Sequence, residues 1–395
     1  MRISTGLYFQ RAINAMTEQQ SALSKTQMQL ATGKRMLTAA DDPAAASRVL
    51  GLNKVLETVN QYQKNAERLT ARLEHEEAAV DSVVNLLQRA KVLAVQGNNG
   101  ALSATDKEAI ATEIYQLVDG MMGLANTRDS DGEYIFGGFQ TRATPFTRPA
   151  LGTFSYVGDQ GQRSLQISAD RQVADSDNGF AMFVDVDTGP YAEVTGIAAA
   201  TFTAIADGDL TINGINVGAI PAAADADERA SQIYDAINAV ADITNVQAEM
   251  VTPSTVRLVS SAGDIAISAA SLGDTGLTTA TTAATTSKRS VMDTLYQLAN
   301  TLDNDLAVDR YIGDIRLAME HVTTRQTIIG ARLNTVDAQV EVNASVKLLY
   351  EANLSTEQDL DYAEAIGRFD RQMLALQAAQ QAYVKVQGLS LFNYI

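Results

Sequence analysis

Between Leu52 and Ala94 apolar residues recur at alternating steps of three and four: Leu52, Val55, Val59, Tyr62, Ala66, Leu69, Leu73, Val80, Val83, Leu87, Ala90 and Ala94, with Glu76 the one polar residue on the stripe. A seven-residue repeat of this kind holds one face of a helix against a partner, and it does not suit a strand, whose side chains alternate with a period of two. At about 1.5 Å per residue such a helix is on the order of 65 Å long, so the expectation is a rod. Both ends of the chain carry the same spacing. Ile13, Met16, Leu23, Leu30 and Leu37 mark it near the N-terminus, with Gln20 and Gln27 in the alternate seam positions, where polar residues weaken a seam while helping to fix its register. After Lys288 it resumes through Leu295, Leu298 and Leu302, then from Ile312 to Val340, and finally through Tyr362, Ile366, Phe369, Met373, Leu376 and Tyr383. The simplest way to satisfy both stripes is to pair N-terminal with C-terminal helices, antiparallel, as a bundle.

The stretch 38-TAADDPAAASR-48 has adjacent carboxylates that invite a catalytic or metal reading, but helix punctuation explains them. Asp42 stands where an N-cap belongs. Pro43 takes the first turn, where its missing N–H costs nothing, and Asp41 adds negative charge near the positive end of the helix dipole. The stretch 97-GNNG-100 ends that helix, and Ser103 with Asp106 has the spacing of a capping box for the next. Asp129, Asp131 and Glu133 around Gly132 resemble part of a calcium loop, but the full 12-residue pattern is missing and an Asx-type turn is the expectation.

From Tyr134 to about Val194 the period changes. The runs 153-TFSYV-157, 163-RSLQIS-168 and 180-FAMFVDV-186 are short, alternating and bounded by Gly or Asp, and read as hairpins, with 158-GDQG-161 as the turn between the first two. Residues 194–287 then form a compositional island of ten acidic and two basic residues without a heptad. Its order is strand 209–218, helix 228–240, strands 246–251, 255–261 and 264–269, and a Thr-rich linker over 278–287.

Several function classes are excluded at this level. With 47 acidic against 30 basic residues the net charge is −17, which repels nucleic acid and anionic lipid in the absence of a basic patch. Cysteine is absent, which removes disulfides and thiolate chemistry, and His75 and His321 are isolated, so neither a metal site nor a catalytic triad is expected. No catalytic residue and no cofactor is assigned. No run approaches the roughly 18 apolar residues of a membrane span, and the N-terminus lacks a signal-peptide core.

Four stretches together resemble the flagellar hook–filament junction proteins of the flagellin-like family: 1-MRIST-5, 31-ATGKR-35 with 41-DDPAAAS-47, 133-EYIFGGFQTRATPF-146, and the closing 376-LQAAQQAYVKVQGLSLFNYI-395. The resemblance covers roughly residues 1–190 and 288–395. The island, with 209-DLTINGINV-217 and 229-RASQIYDAINA-239, resembles a small β module repeated in flagellins and hook-associated proteins. The resemblance implies a non-enzymatic structural subunit of the bacterial flagellum, exported without a cleaved signal peptide and found outside the cell. It implies a homo-oligomeric ring between a neighbouring hook-associated protein and flagellin, and a cytosolic export chaperone that binds near the C-terminus. It also implies terminal helices that are disordered in the free monomer and order on assembly.

The expected organisation is mainly α with inserted β. Residues 1–40 and 355–395 form terminal helices of an inner coiled-coil layer, 41–193 with 288–354 a helical rod bearing β-hairpins, and 194–287 an inserted β-rich outer domain. The packing seam is assigned to Met16, Leu23, Leu30, Ile366, Phe369, Leu376 and Tyr383, and the helix cap to Asp42 and Pro43. Two alternatives stay open. The stripes also suit a closed monomeric bundle, and a flagellin-type filament subunit or a secreted adhesin shares parts of the pattern. For Phe136, Gly137, Gly138, Phe139 and Phe146, a bent subunit contact competes with the simpler role of closing the bundle where helices give way to strands.

Overall fold

The computed structural model describes residues 5–148, 153–306 and 308–388. The expectations on residues 1–4 and on 389–395 lie outside the described residues. Three helices come first: α1 (Thr5–Thr32), α2 (Pro43–Gly97) and α3 (Ala104–Ala125). Short strands β1 (Phe146–Thr147), β2 (Ser155–Tyr156), β3 (Ser164–Gln166) and β4 (Gln172–Ala174), a π-turn over Phe180–Val184 and β5 (Val186–Asp187) follow. The island holds β6 (Ala192–Thr195), β7 (Leu210–Ile212), β8 (Ile215–Asn216), α4 (Ala226–Asn238), α5 (Ala241–Thr244), β9 (Gln247–Thr252), β10 (Thr255–Ser260), β11 (Ile265–Ala269), α6 (Leu272–Thr275) and β12 (Ala280–Thr282). After β13 (Lys288–Arg289) come α7 (Val291–Asp303), α8 (Asp309–Gln358) and α9 (Tyr362–Gly388).

Two compact units result. One takes the described residues of 1–66, 167–170 and 338–395, the other those of 67–166 and 171–337. In the first, α1 and α9 run antiparallel: Phe9 meets Tyr383 edge-on at 5.9 Å, and Thr26 Oγ1 donates to Gln372 Oε1 at 2.8 Å. Gly33 ends α1 in the left-handed region (φ 66°), where a Cβ would stand 2.9 Å from the Tyr362 hydroxyl. The chain then bridges to the start of α9, Leu360 N–H donating to Gly33 O at 2.9 Å and Arg35 N–H to Gln358 O at 2.8 Å.

The second unit has two cores. In its helical part Leu69, Leu73, Val80, Val83, Leu87, Ala90 and Ala94 of α2 are fully buried, as the stripe requires. Helix α3 lies antiparallel to α7, with Lys107 paired to Asp305 and the Tyr115 ring tilted against that of Tyr296, centroids 5.5 Å apart. The island has its own core, in which Leu210, Ile212, Ile233, Ile237, Leu258, Ile265 and Ile267 join the sheets β6-β10-β9 and β12-β11-β7-β8 to α4. This mainly helical architecture with inserted β follows the sequence reading.

Four local expectations are corrected. Strand β2 pairs with β1 (Phe146↔Tyr156) and β3 with β4, so 158-GDQG-161 does not join a hairpin of 153–157 with 163–168. The run 180–186 is a π-turn followed by a two-residue strand, because Met182 and Phe183 must both point into the same core, which a strand would place on opposite faces. The Thr-rich 278–287 is no free linker: Ala280–Thr282 adds an edge strand to β11, and Thr285 pairs with Tyr191. Finally, Val55 is exposed while its neighbour Leu56 is buried, so the stripe enters its core one position later than the spacing suggests.

Candidate assembly interface

The terminal pair is built on a complete heptad. Phe9, Met16, Leu23 and Leu30 alternate with Ala12, Gln19 and Thr26 on α1, and Phe369, Leu376 and Tyr383 alternate with Ala365, Gln372 and Ala379 on α9. Polar groups close its middle: Gln19 Nε2 donates to Gln372 O at 3.5 Å beside the Thr26–Gln372 bond. The seam is thus one residue out of phase with the sequence reading at its polar positions, since Gln20 and Gln27 are exposed. Ile366 is a second correction: it stands half-exposed, off the α1–α9 face. Burial explains the outcome. Of the residues assigned to the seam, Met16, Leu23, Leu30, Phe369, Leu376 and Tyr383 are all only partly covered, and the covered positions are small or polar: Thr26, Gln29 and Ala365.

A second apolar set stays in solvent on the same unit. Ile366, Met373 and Leu374 on α9, Leu348 and Leu349 on α8 and Met28 on α1 are between 40% and 69% exposed.

Asp42 caps α2: its Oδ1 accepts from Ala45 N–H at 3.0 Å, and Ala46 N–H reaches its carbonyl at 2.9 Å. Pro43 opens the first turn. Asp41 does more than the dipole argument foresaw. Its Oδ2 accepts from Leu37 N–H and Thr38 N–H at 2.9 and 3.0 Å, and its Oδ1 pairs with Lys25 at 2.6 Å. The Lys25 hydrogen bond, followed by those backbone donors, draws its carboxyl down to about 2. Arg48 and Glu357 form a two-pronged pair at 2.9 and 3.0 Å. Neither aspartate has a catalytic neighbourhood.

In the second unit the YIFGG segment divides. Phe136 and Phe146 are buried against Phe183, edge-on at 5.1 and 5.6 Å, and Tyr156 donates to Phe136 O at 3.0 Å. Phe139 instead is 63% exposed. Gly138 makes this possible, since at φ 67° a Cβ would lie 2.4 Å from Asp159 O, and Asp159 Oδ1 accepts from Phe139 N–H at 3.0 Å. Gly137 closes the same turn through its carbonyl, which accepts from Gln140 N–H at 3.2 Å.

The Asp129 loop is an Asx turn, its Oδ1 accepting from Asp131 N–H and Glu133 N–H at 3.0 and 2.9 Å. Arg72 pairs with Asp129 where a cation would sit, and no acidic or histidine group fit to hold a metal occurs among the described residues. No helix among them is long and apolar enough to cross a membrane. Sequence reading missed the partners of Glu76, which is fully buried and bonded to Asp177 N–H at 2.8 Å; its polar place in an apolar stripe was the available signal.

The bacterial flagellin N-terminal helical region matches residues 3–141. Flagellar hook-associated protein 3 of Escherichia coli (strain K12) is 26% identical over 393 residues, covering 100% of this chain and 99% of that protein. Flagellar hook-associated protein 3 of Salmonella typhimurium (strain LT2) is 30% identical over 258 residues, 64% of this chain and 80% of that protein. The chain belongs to the flagellar hook-associated protein 3 family. The crystal structure of hook-associated protein 3 from Legionella pneumophila shares the family fold, with a TM-score of 0.55 at 19% identity over 77% of this chain and 97% of that one. The flagellin N-terminal model matches residues 3–141, whereas hook-associated protein 3 of Escherichia coli is matched end to end.

Proposed function

We propose that the chain is a non-enzymatic structural subunit of the flagellum that forms the junction ring between hook and filament by association of its terminal helices. The observation that carries this reading is the uncovered apolar set of α9 and α8, beside a seam too polar to close a unit by itself. Residues 1–40 and 355–395 then serve as the inner layer and 194–287 as the outer domain, and the exposed Phe139 is a further contact between copies. The partners are neighbouring copies, a hook-associated protein on one side, flagellin on the other, and an export chaperone before secretion through the flagellar export route. Full-length likeness to hook-associated protein 3 supports this over a filament subunit.

Leu374→Asp places a charge on the uncovered face, whereas Leu376→Asp disrupts the α1–α9 pair. Both should leave the second unit folded and abolish incorporation at hook tips, and with it motility. Wild-type swimming in both variants would overturn the reading. Purified chain added to hook fragments should stop at a short ring; unlimited elongation would make it a filament subunit.

A further inference from the structure

Glu76 lies in mid-α2, the one polar residue of its stripe, and is fully buried. Its Oε1 accepts from Asp177 N–H at 2.8 Å, and its Oε2 has no partner. Asp177 is buried too. Its Oδ1 takes Arg332 Nη2 at 2.6 Å and Gln162 Nε2 at 2.9 Å, and its Oδ2 has no partner. The charged groups that face Glu76 are Asp177 and Asp175, from the segment after β4, and Arg332, from α8. Asp175 is already engaged by Arg163 at 2.9 Å and by Arg72 at 3.6 Å, and those two guanidinium groups are shared with Asp129 and Glu133. Among the described residues, the cation left to these two carboxyl groups is Arg332, which bonds to Asp177 and acts on Glu76 through space. A second buried carboxylate beside Asp177 is costly, and a proton retained on Glu76 removes one buried charge and ends the repulsion.

We infer that Glu76 keeps its proton in the fold, and that this neutral buried carboxyl, accepting from Asp177 N–H, clasps residues 175–184 to α2 beside the Arg332–Asp177 pair that ties them to α8. The clasp has a clear load. Directly after Asp177, Asn178 Oδ1 accepts from Ala181 N–H at 2.8 Å to start the π-turn, Ala181 O meets His321 Nε2 at 2.8 Å, and Phe183 fills the aromatic core with Phe136 and Phe146.

Burial first, and Asp177 second, push the Glu76 carboxyl up to about 8. Opening the segment hydrates the carboxyl and returns it to the ordinary glutamate range, so opening releases a proton. The clasp therefore has its full strength below that ordinary range and loses it as pH rises through about 8. Across this window opening becomes easier by up to about tenfold per pH unit, and above it the dependence levels off.

Amide exchange of the full chain, corrected for the intrinsic rate and read by mass spectrometry from about pH 6 to about pH 9, tests this, with α7 as the internal reference. In the wild type, residues 175–184 should open more with rising pH while α7 does not follow. Glu76→Gln keeps a donor without a titration and should flatten the dependence; equal slopes in both proteins would overturn the inference. Should the variant fail to fold, a carbon-13 carboxyl titration of the wild type is decisive. One glutamate or aspartate resonance should titrate far above the rest, and a complete set of ordinary acidic titrations would overturn the clasp.

Discussion

Helices α1 and α9 form an antiparallel pair, and so do α3 and α7, yet the two pairs are covered to very different degrees. On α3 and α7, Ile114, Val118, Met121, Leu295 and Leu298 are wholly buried. The terminal pair is longer, at 28 and 27 residues against 22 and 13, but among the described residues no large apolar side chain on its face is fully buried. Length gives a helix more backbone hydrogen bonds, but in water the packed apolar face decides whether it persists. The contrast separates a scaffold complete within one chain from a pair whose apolar surface remains available to others.

The largest expected effect tests the complete side. Ile114→Ala or Leu295→Ala removes fully buried side chains and should cost about 2–5 kcal/mol in the thermal or denaturant stability of the second unit. The matched substitutions Leu23→Ala and Leu376→Ala remove half-covered ones and should cost roughly half as much or less in the isolated chain. Amide exchange should agree, with α3 and α7 protected and α1 and α9 exchanging early. Equal costs and equal protection in the two pairs would remove the distinction.

The same contrast explains what could be read beforehand. From Leu69 to Ala94 the stripe is apolar and fully buried, so its period alone placed the core, and Glu76 was visible as its interruption. At the termini the face is polar enough that two phases compete. Gln20 and Gln27 fit the spacing as well as Gln19 and Thr26 do, and only the partner Gln372 decides between them. Ile366 was drawn onto the seam for the same reason. Long-range pairings were hidden in principle: nothing local in 155-SY-156 says that its partner is Phe146, nor in the Thr-rich run 278–287 that an edge strand forms, nor at Asp177 that it will face a glutamate about a hundred residues earlier. The capping signals at Asp42 and Ser103 were legible because caps are local.

An intermediate effect sharpens the comparison at its polar centre. Gln372→Leu replaces the amide that accepts from Thr26, in a seam already marginal. Added apolar area should tighten the α1–α9 pair of the free chain, seen as slower exchange in both helices, while Thr26 loses its acceptor and the register is less well defined. Faster exchange after the substitution would mean that the amide contributes net stability and not only register. The α3–α7 pair should be unaffected in either case, since none of its residues touches Gln372 among the described hydrogen bonds.

The smallest effect concerns acid. Asp41 closes the turn before α2, with its carboxyl drawn down to about 2, and Asp106 closes the capping box of α3, also held below the usual carboxylate range by Ser103. In both cases the folded state prefers the charged form, so the contribution is present above the ordinary aspartate range and fades as pH falls through the depressed value. The two turns should nevertheless respond differently. Helix α3 is anchored by Ile110, Ala111 and Ile114, so losing its box leaves the helix in place, whereas the turn at 37–41 depends on Asp41 for Leu37 N–H, Thr38 N–H and Lys25 together. As pH falls towards about 2, amides 37–41 should therefore gain more exchange, beyond the intrinsic change, than those at the start of α3. Asp41→Asn should reproduce that loosening at neutral pH without altering α3, and a uniform acid response at both turns would show that neighbouring burial does not set their strength.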